Sequence, residues 1–60
     1  MQATTKTGTT KTVSHGDPLW CSLENRRVRF SRLIGSAVEV MDDSGRVLPD
    51  WRHQTQVKAL

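Results

Sequence analysis

Sixty residues make one domain at most, and a chain of that size buries only about 60% of the surface its unfolded form exposes, so its fold leans on a ligand, a partner or self-association. The single cysteine, Cys21, excludes an internal disulfide framework, and no apolar run approaches the roughly 18 residues of a membrane span. Nine Lys and Arg against six Asp and Glu leave a net charge of +3 and a pI of about 9.8, a balance that favours polyanionic partners.

The first segment, Met1 to Thr12, is rich in threonine and carries no large apolar residue beyond Met1. It reads as a flexible arm, ahead of a small domain over residues 13–60. The absence of an apolar signal core, together with a free cysteine, predicts an intracellular protein that is not secreted.

His15-Gly16-Asp17-Pro18 is a turn cluster, and Leu19-Trp20-Cys21 follows as a short buried strand. The stretch from Pro18 to Ile34 admits two readings. As a helix it has Asp17 at the N-cap, Pro18 at the first position and Gly35 beyond the end; with a hairpin at 37–48 this gives an α+β fold. As strands, Leu19-Trp20-Cys21 and Arg27-Val28-Arg29-Phe30-Ser31 flank a turn at Ser22–Asn25, with Val28 and Phe30 inward. The strand reading is preferred, because a lone helix and one hairpin close poorly into a core.

Ala37-Val38-Glu39-Val40-Met41 alternates as a half-buried strand does. Asp42-Asp43-Ser44-Gly45 supplies a turn, with positive φ expected at Gly45. Arg46-Val47-Leu48 then runs back until Pro49 ends the ladder. Asp50 caps a single 3₁₀ turn, and Val57 to Leu60 closes as a terminal strand. The sum is an all-β chain, a small five-stranded SH3-like barrel with a flexible N-terminal arm.

Asp17-Pro18-Leu19-Trp20, Gly35-Ser36-Ala37-Val38-Glu39-Val40 with Asp42-Asp43-Ser44, and Arg46-Val47-Leu48-Pro49 resemble the C-terminal domain of lentiviral integrases in order and approximate spacing. The closing run Trp51 to Leu60 is similar to the same domain of gammaretroviruses and gypsy-type retrotransposons. The resemblance implies an SH3-like barrel that binds DNA without marked sequence preference and helps its enzyme multimerise. The basic surface it implies falls on Arg26, Arg27, Arg29, Arg46, Arg52 and Lys58. An integrase's catalytic core is absent, so the resemblance implies no activity of the chain's own.

Arg26, Arg27, Arg29 and Arg32 lie within seven residues, and a guanidinium fork suits phosphate oxygens. Such contacts add affinity that falls with salt and carry no sequence information. The competing account is a solvated strand face whose charges discourage edge-to-edge pairing. Trp20 and Trp51 are candidates for stacking on bases, although with so few aromatics both are expected first in the core. His15, Cys21 and His53 lack zinc spacing, so no metal or cofactor is expected. Ser14-His15, and Ser44 beside Asp42 and Asp43, are explained by turn formation, and the chain is expected not to be an enzyme or to hold a small-molecule substrate.

The leading expectation is a self-associating module for the backbone of DNA or RNA, with Arg26, Arg27, Arg29, Arg32, Arg46, Arg52 and Lys58 as its contacts. The alternative is a small viral or phage structural or inhibitory module whose arm clamps a partner subunit.

Overall fold

The computed structural model describes residues 1–60. Its strands are β1 (Gln2–Thr4), β2 (Thr10–Thr12), β3 (Pro18–Cys21), β4 (Arg26–Ile34), β5 (Ala37–Met41) and β6 (Arg52–His53). A 3₁₀ turn, Gln54–Gln56, precedes β7 (Val57–Ala59). β1 and β2 form a two-stranded antiparallel sheet, and the other five form an antiparallel sheet in the order β6-β5-β4-β3-β7. The chain is all-β, and no helix is long and apolar enough to cross a membrane.

The helix considered for residues 18–34 does not form; that stretch is β3, a turn, and β4. A helix would bring Arg26 and Arg27 onto its apolar face, whereas a period of two turns Arg27 away from the core residues and leaves Arg26, which shares their parity, at the exposed start of β4. Leu19 and Cys21 of β3, and Val28 and Phe30 of β4, are all buried, while Arg27 before Val28 is exposed and Arg29 between Val28 and Phe30 is half-buried. Asn25, at φ +53°, closes the turn in the left-handed conformation asparagine tolerates. A register shift between Phe30 and Arg32 bends β4, and Gly35, at φ +61°, opens the two-residue turn into β5.

The core is one cluster: Ala3, Val13, Leu19, Cys21, Val28, Phe30, Val38, Val40, Val57 and Ala59, with Met1 and Leu48 packed against it. Cys21 is fully buried among these apolar groups and acts as a small hydrophobe. Neither tryptophan belongs to the cluster, contrary to the expectation that both would.

Residues 1–12, expected as a flexible arm, are instead a hairpin docked on the domain. Gln2, Ala3 and Thr4 pair with Thr12, Lys11 and Thr10. Buried Ala3 and Val13 anchor it, and Thr5 forms a parallel bridge with Ala59 of β7. Low hydrophobicity concealed two facts about threonine: it is a strand former, and its hydroxyl can replace missing turn contacts. Thr5 Oγ1 lies 2.7 Å from Thr9 Oγ1 and 3.0 Å from Thr7 Oγ1 across the hairpin tip.

The turn at Asp42–Gly45 forms as expected, with Gly45 at φ +89°. The returning segment is weaker than a strand: a single bridge joins Met41 to Val47, and Leu48 N–H donates to Val40 C=O at 2.9 Å. Pro49 and left-handed Asp50 (φ +64°) then swing the chain outward. It returns as β6, where Ala37 pairs with His53 and Val38 with Arg52. The 3₁₀ turn is capped by His53 rather than Asp50. Thr55 N–H donates to His53 Nδ1 at 3.3 Å, and His53 N–H donates to Gln56 Oε1 at 2.8 Å.

Asp42 Oδ1 organises its turn by accepting from Ser44 Oγ at 2.7 Å, and from Ser44 N–H and Arg46 N–H at 3.0 Å each. The Ser44 hydroxyl above all, then the Arg46 N–H, holds this carboxyl below its ordinary value of 3.8. A folded-state value below the unfolded one contributes stability present above 3.8 and lost as pH falls through the folded value. Asp42→Asn is therefore expected to unfold at lower denaturant than the parent at neutral pH, with the gap closing well below pH 3.8. Urea midpoints compared at the two pH values check this, and a gap that stays constant with pH would refute it.

Candidate nucleic-acid interface

Residues directly opposite each other across an antiparallel pair share a face of the sheet. Trp20 stands opposite Arg27 of β4 on one side and opposite Lys58 of β7 on the other. Their neighbours along the strands, Leu19, Cys21, Val28, Val57 and Ala59, point into the core. Arg27, Trp20 and Lys58 thus form a row across three strands on the outer face. At about 4.8 Å per strand, the two cations are separated by about 10 Å of backbone. Trp20 is half-buried, while Arg27 and Lys58 are exposed.

The docked hairpin adds a third cation. Lys6, at its tip, sets its ammonium 5.3 Å from the centroid of the Trp20 ring, a cation–π contact that contributes about 0.5–1 kcal/mol at an exposed site. Beside Lys6, an open cleft of about 260 Å³ is lined by Thr5, Lys6, Thr7, Ala59 and Leu60. A second cleft of about 420 Å³ follows the other side of the β1–β7 seam, lined by Gln2, Ala3, Thr4, Gln54, Thr55, Val57 and Lys58. Threonine hydroxyls line the first cleft, and glutamine amides with threonine hydroxyls line the second.

Four of the other predicted arginines are paired with carboxylates. Arg26 Nε lies 2.7 Å from Glu24 Oε2, and Arg32 Nε lies 2.5 Å from Glu39 Oε2. Arg29 Nε lies 3.3 Å from Asp43 Oδ1, and its Nη1 donates to Gly16 C=O at 2.9 Å. Exposed pairs of this kind yield readily to a competing anion, since each contributes only about 0–1 kcal/mol. Arg32 against Glu39 is the exception, for Glu39 is buried on the sheet and held there opposite its partner.

Arg52 is no surface residue at all: only 4% of it is exposed. It pairs with Val38 on the inner face of the sheet, because its position in β6 has the parity of the core. Its Nη1 donates to Pro49 C=O at 2.8 Å and also to Asp50 C=O, and its Nη2 is paired with Glu24. Its Nε has no acceptor. Arg52 is a clasp between the Pro49-Asp50 bend and the Ser22–Asn25 turn, unavailable to a phosphate.

Arg46 forms no ion pair but sits in the acidic turn with Asp42 and Asp43. Trp51 is 60% exposed, with no cation over its ring. The cations left without a carboxylate are therefore Lys6, Lys11, Arg27, Arg46 and Lys58. Three of these surround Trp20, while Lys11 Nζ is bound to Leu60 C=O at 2.9 Å. Sequence reasoning missed Lys6, because its place over Trp20 depends on where the hairpin docks. Its one trace in the sequence is Gly8 in the threonine-rich run, which marks a turn at φ +89°.

Comparison with protein-family models, curated proteins and solved structures found no match.

Proposed function

We propose that this chain is a non-catalytic nucleic-acid-binding module that holds the phosphate backbone through the outer face of β3, β4 and β7. One observation carries the reading. After four arginines are matched to carboxylates, three of the five remaining side-chain cations, Arg27, Lys58 and Lys6, are gathered around a single aromatic ring. Such cations neutralise phosphates and release counterions, and an aromatic ring among them offers a sequence-tolerant platform. Arg29, whose exposed partner Asp43 is displaceable, extends the same face along β4.

The finer fold reading is an SH3-like barrel of the kind found in integrase C-terminal domains. It is supported by the sheet order β6-β5-β4-β3-β7, the bend in β4 and the 3₁₀ turn before the last strand. Self-association and an intracellular setting belong to the same reading. The rival, a structural or inhibitory module whose arm clamps a neighbouring subunit, has less support, because that arm is engaged with Ala59 of its own chain.

A salt titration of binding to a labelled DNA duplex tests the proposal. Three phosphate contacts imply a slope of log affinity against log salt of about −2 to −3, at about 0.9 per contact. No binding at low salt, with a discrete large assembly in sedimentation, would overturn the proposal and favour the rival.

A further inference from the structure

We infer that Trp20 is a stacking site for one unpaired base of a single-stranded nucleic acid, and that Lys6 is its displaceable cover. The inference rests on the nucleic-acid reading above and narrows it to a strand whose bases are open. In a duplex the faces of the bases are already stacked on one another, so a ring set into the surface of a sheet meets only the backbone. An unstacked base presents a free π-face of the kind that aromatic platforms accept.

Three features converge on this ring. Trp20 is half-buried, so one side is fixed by the sheet and the outer side is the one Lys6 covers. The cover is a single flexible side chain 5.3 Å from the ring centroid, and Lys6 also lines the neighbouring cleft of about 260 Å³. When a base arrives, the ammonium has space to swing aside, and it remains close enough to meet the strand's phosphate. Arg27 and Lys58, in register on either side of the ring, are placed for the phosphates before and after the stacked base. The cleft beyond Lys58, lined by Gln2, Thr4, Gln54 and Thr55, offers amide and hydroxyl groups to the next nucleotide.

The gain from stacking exceeds the loss of the lysine contact, because a neutral base covers the whole ring while the ammonium is also solvated. Lys6 is therefore expected to act as a weak competitor rather than a lock.

Tryptophan fluorescence reads the proposal directly. In a Trp51→Phe background, where the replaced ring is mostly exposed, Trp20 is the sole reporter. Titration with a thymidine oligonucleotide is expected to quench its emission saturably, while a duplex of equal length binds in anisotropy and leaves emission unchanged. Trp20→Leu, confirmed folded by circular dichroism, is expected to weaken single-strand binding by about tenfold and duplex binding far less. Lys6→Ala is expected to keep the quenching and to flatten the single-strand salt slope by about 0.7. Single-strand binding without any change in Trp20 emission would overturn the stacking site and leave the backbone-binding module standing. Equal quenching by both nucleic acids would overturn the single-strand preference. Failure of both to bind at low salt would overturn the stacking site and the module together.

Discussion

Arg52→Ala is expected to cost the domain about 3 kcal/mol, seen as a collapse of the urea midpoint. A chain of 60 residues has only about 3–9 kcal/mol of stability to lose, so the variant sits at the edge of unfolding at room temperature. The cause is the clasp. Alanine deletes the donors to Pro49 C=O and Asp50 C=O and leaves the left-handed conformation of Asp50 unsupported. It also opens a space opposite Val38 on the inner face. Glu24 loses one of two arginines but keeps Arg26 and some water, which holds the cost below that of a fully orphaned charge. The unpartnered Nε means that the native clasp itself falls short of its full hydrogen-bonding capacity. Arg52→Met, which retains the buried stem, is expected to lose less than alanine. A midpoint within experimental error of the parent for Arg52→Ala would show that β6 is not held by this residue.

The second large effect is on binding. Replacing Arg27 and Lys58 together by glutamate is expected to weaken affinity for nucleic acid by at least about a hundredfold at low salt. A charged hydrogen bond contributes about 1.5–3 kcal/mol, and two are lost. The fold should be untouched, because both side chains are exposed and neither forms an ion pair. Arg46→Glu serves as the contrast: it also removes an unpaired cation, but one beside Asp42 and Asp43 in the acidic turn, and its loss should be much smaller. A log-affinity loss for Arg46→Glu of about half that of the double variant, in proportion to the charge reversed, would mean that net charge, and not the face around Trp20, governs binding.

The parts of this fold that could be read from the chain were those where local and long-range forces agree. The alternation of Val28 and Phe30 with Arg27 and Arg29 marked a strand, and Gly45 after two aspartates marked a turn; both hold in the structure. The hairpin at residues 1–12 was illegible because its stability comes from docking, in which Ala3 and Val13 reach a core made by distant strands. Arg52 misled for a similar reason. A charge reads as surface until its partners are known, and these are a carboxylate from another turn and two backbone carbonyls made available by a bend. The site was half legible: Arg27, Lys58 and Trp20 were named, but their alignment is a matter of register, which no single strand's sequence fixes. Lys6 joined them only through the tertiary placement of its hairpin.

The seam between Thr5 and Ala59 has a consequence for how the chain acquires its structure. β3, β4 and β5 are joined by short turns and can meet early, since closing small loops costs little entropy. β3 lacks its second partner until Val57 to Ala59 arrive, and the first hairpin lacks its bed until then as well. Folding is thus expected to proceed in two stages, a rapid local meander followed by slower docking of the chain's two distant segments. Trp20, lying between the meander and the seam, would report the second stage by its fluorescence as Lys58 and Lys6 settle beside it.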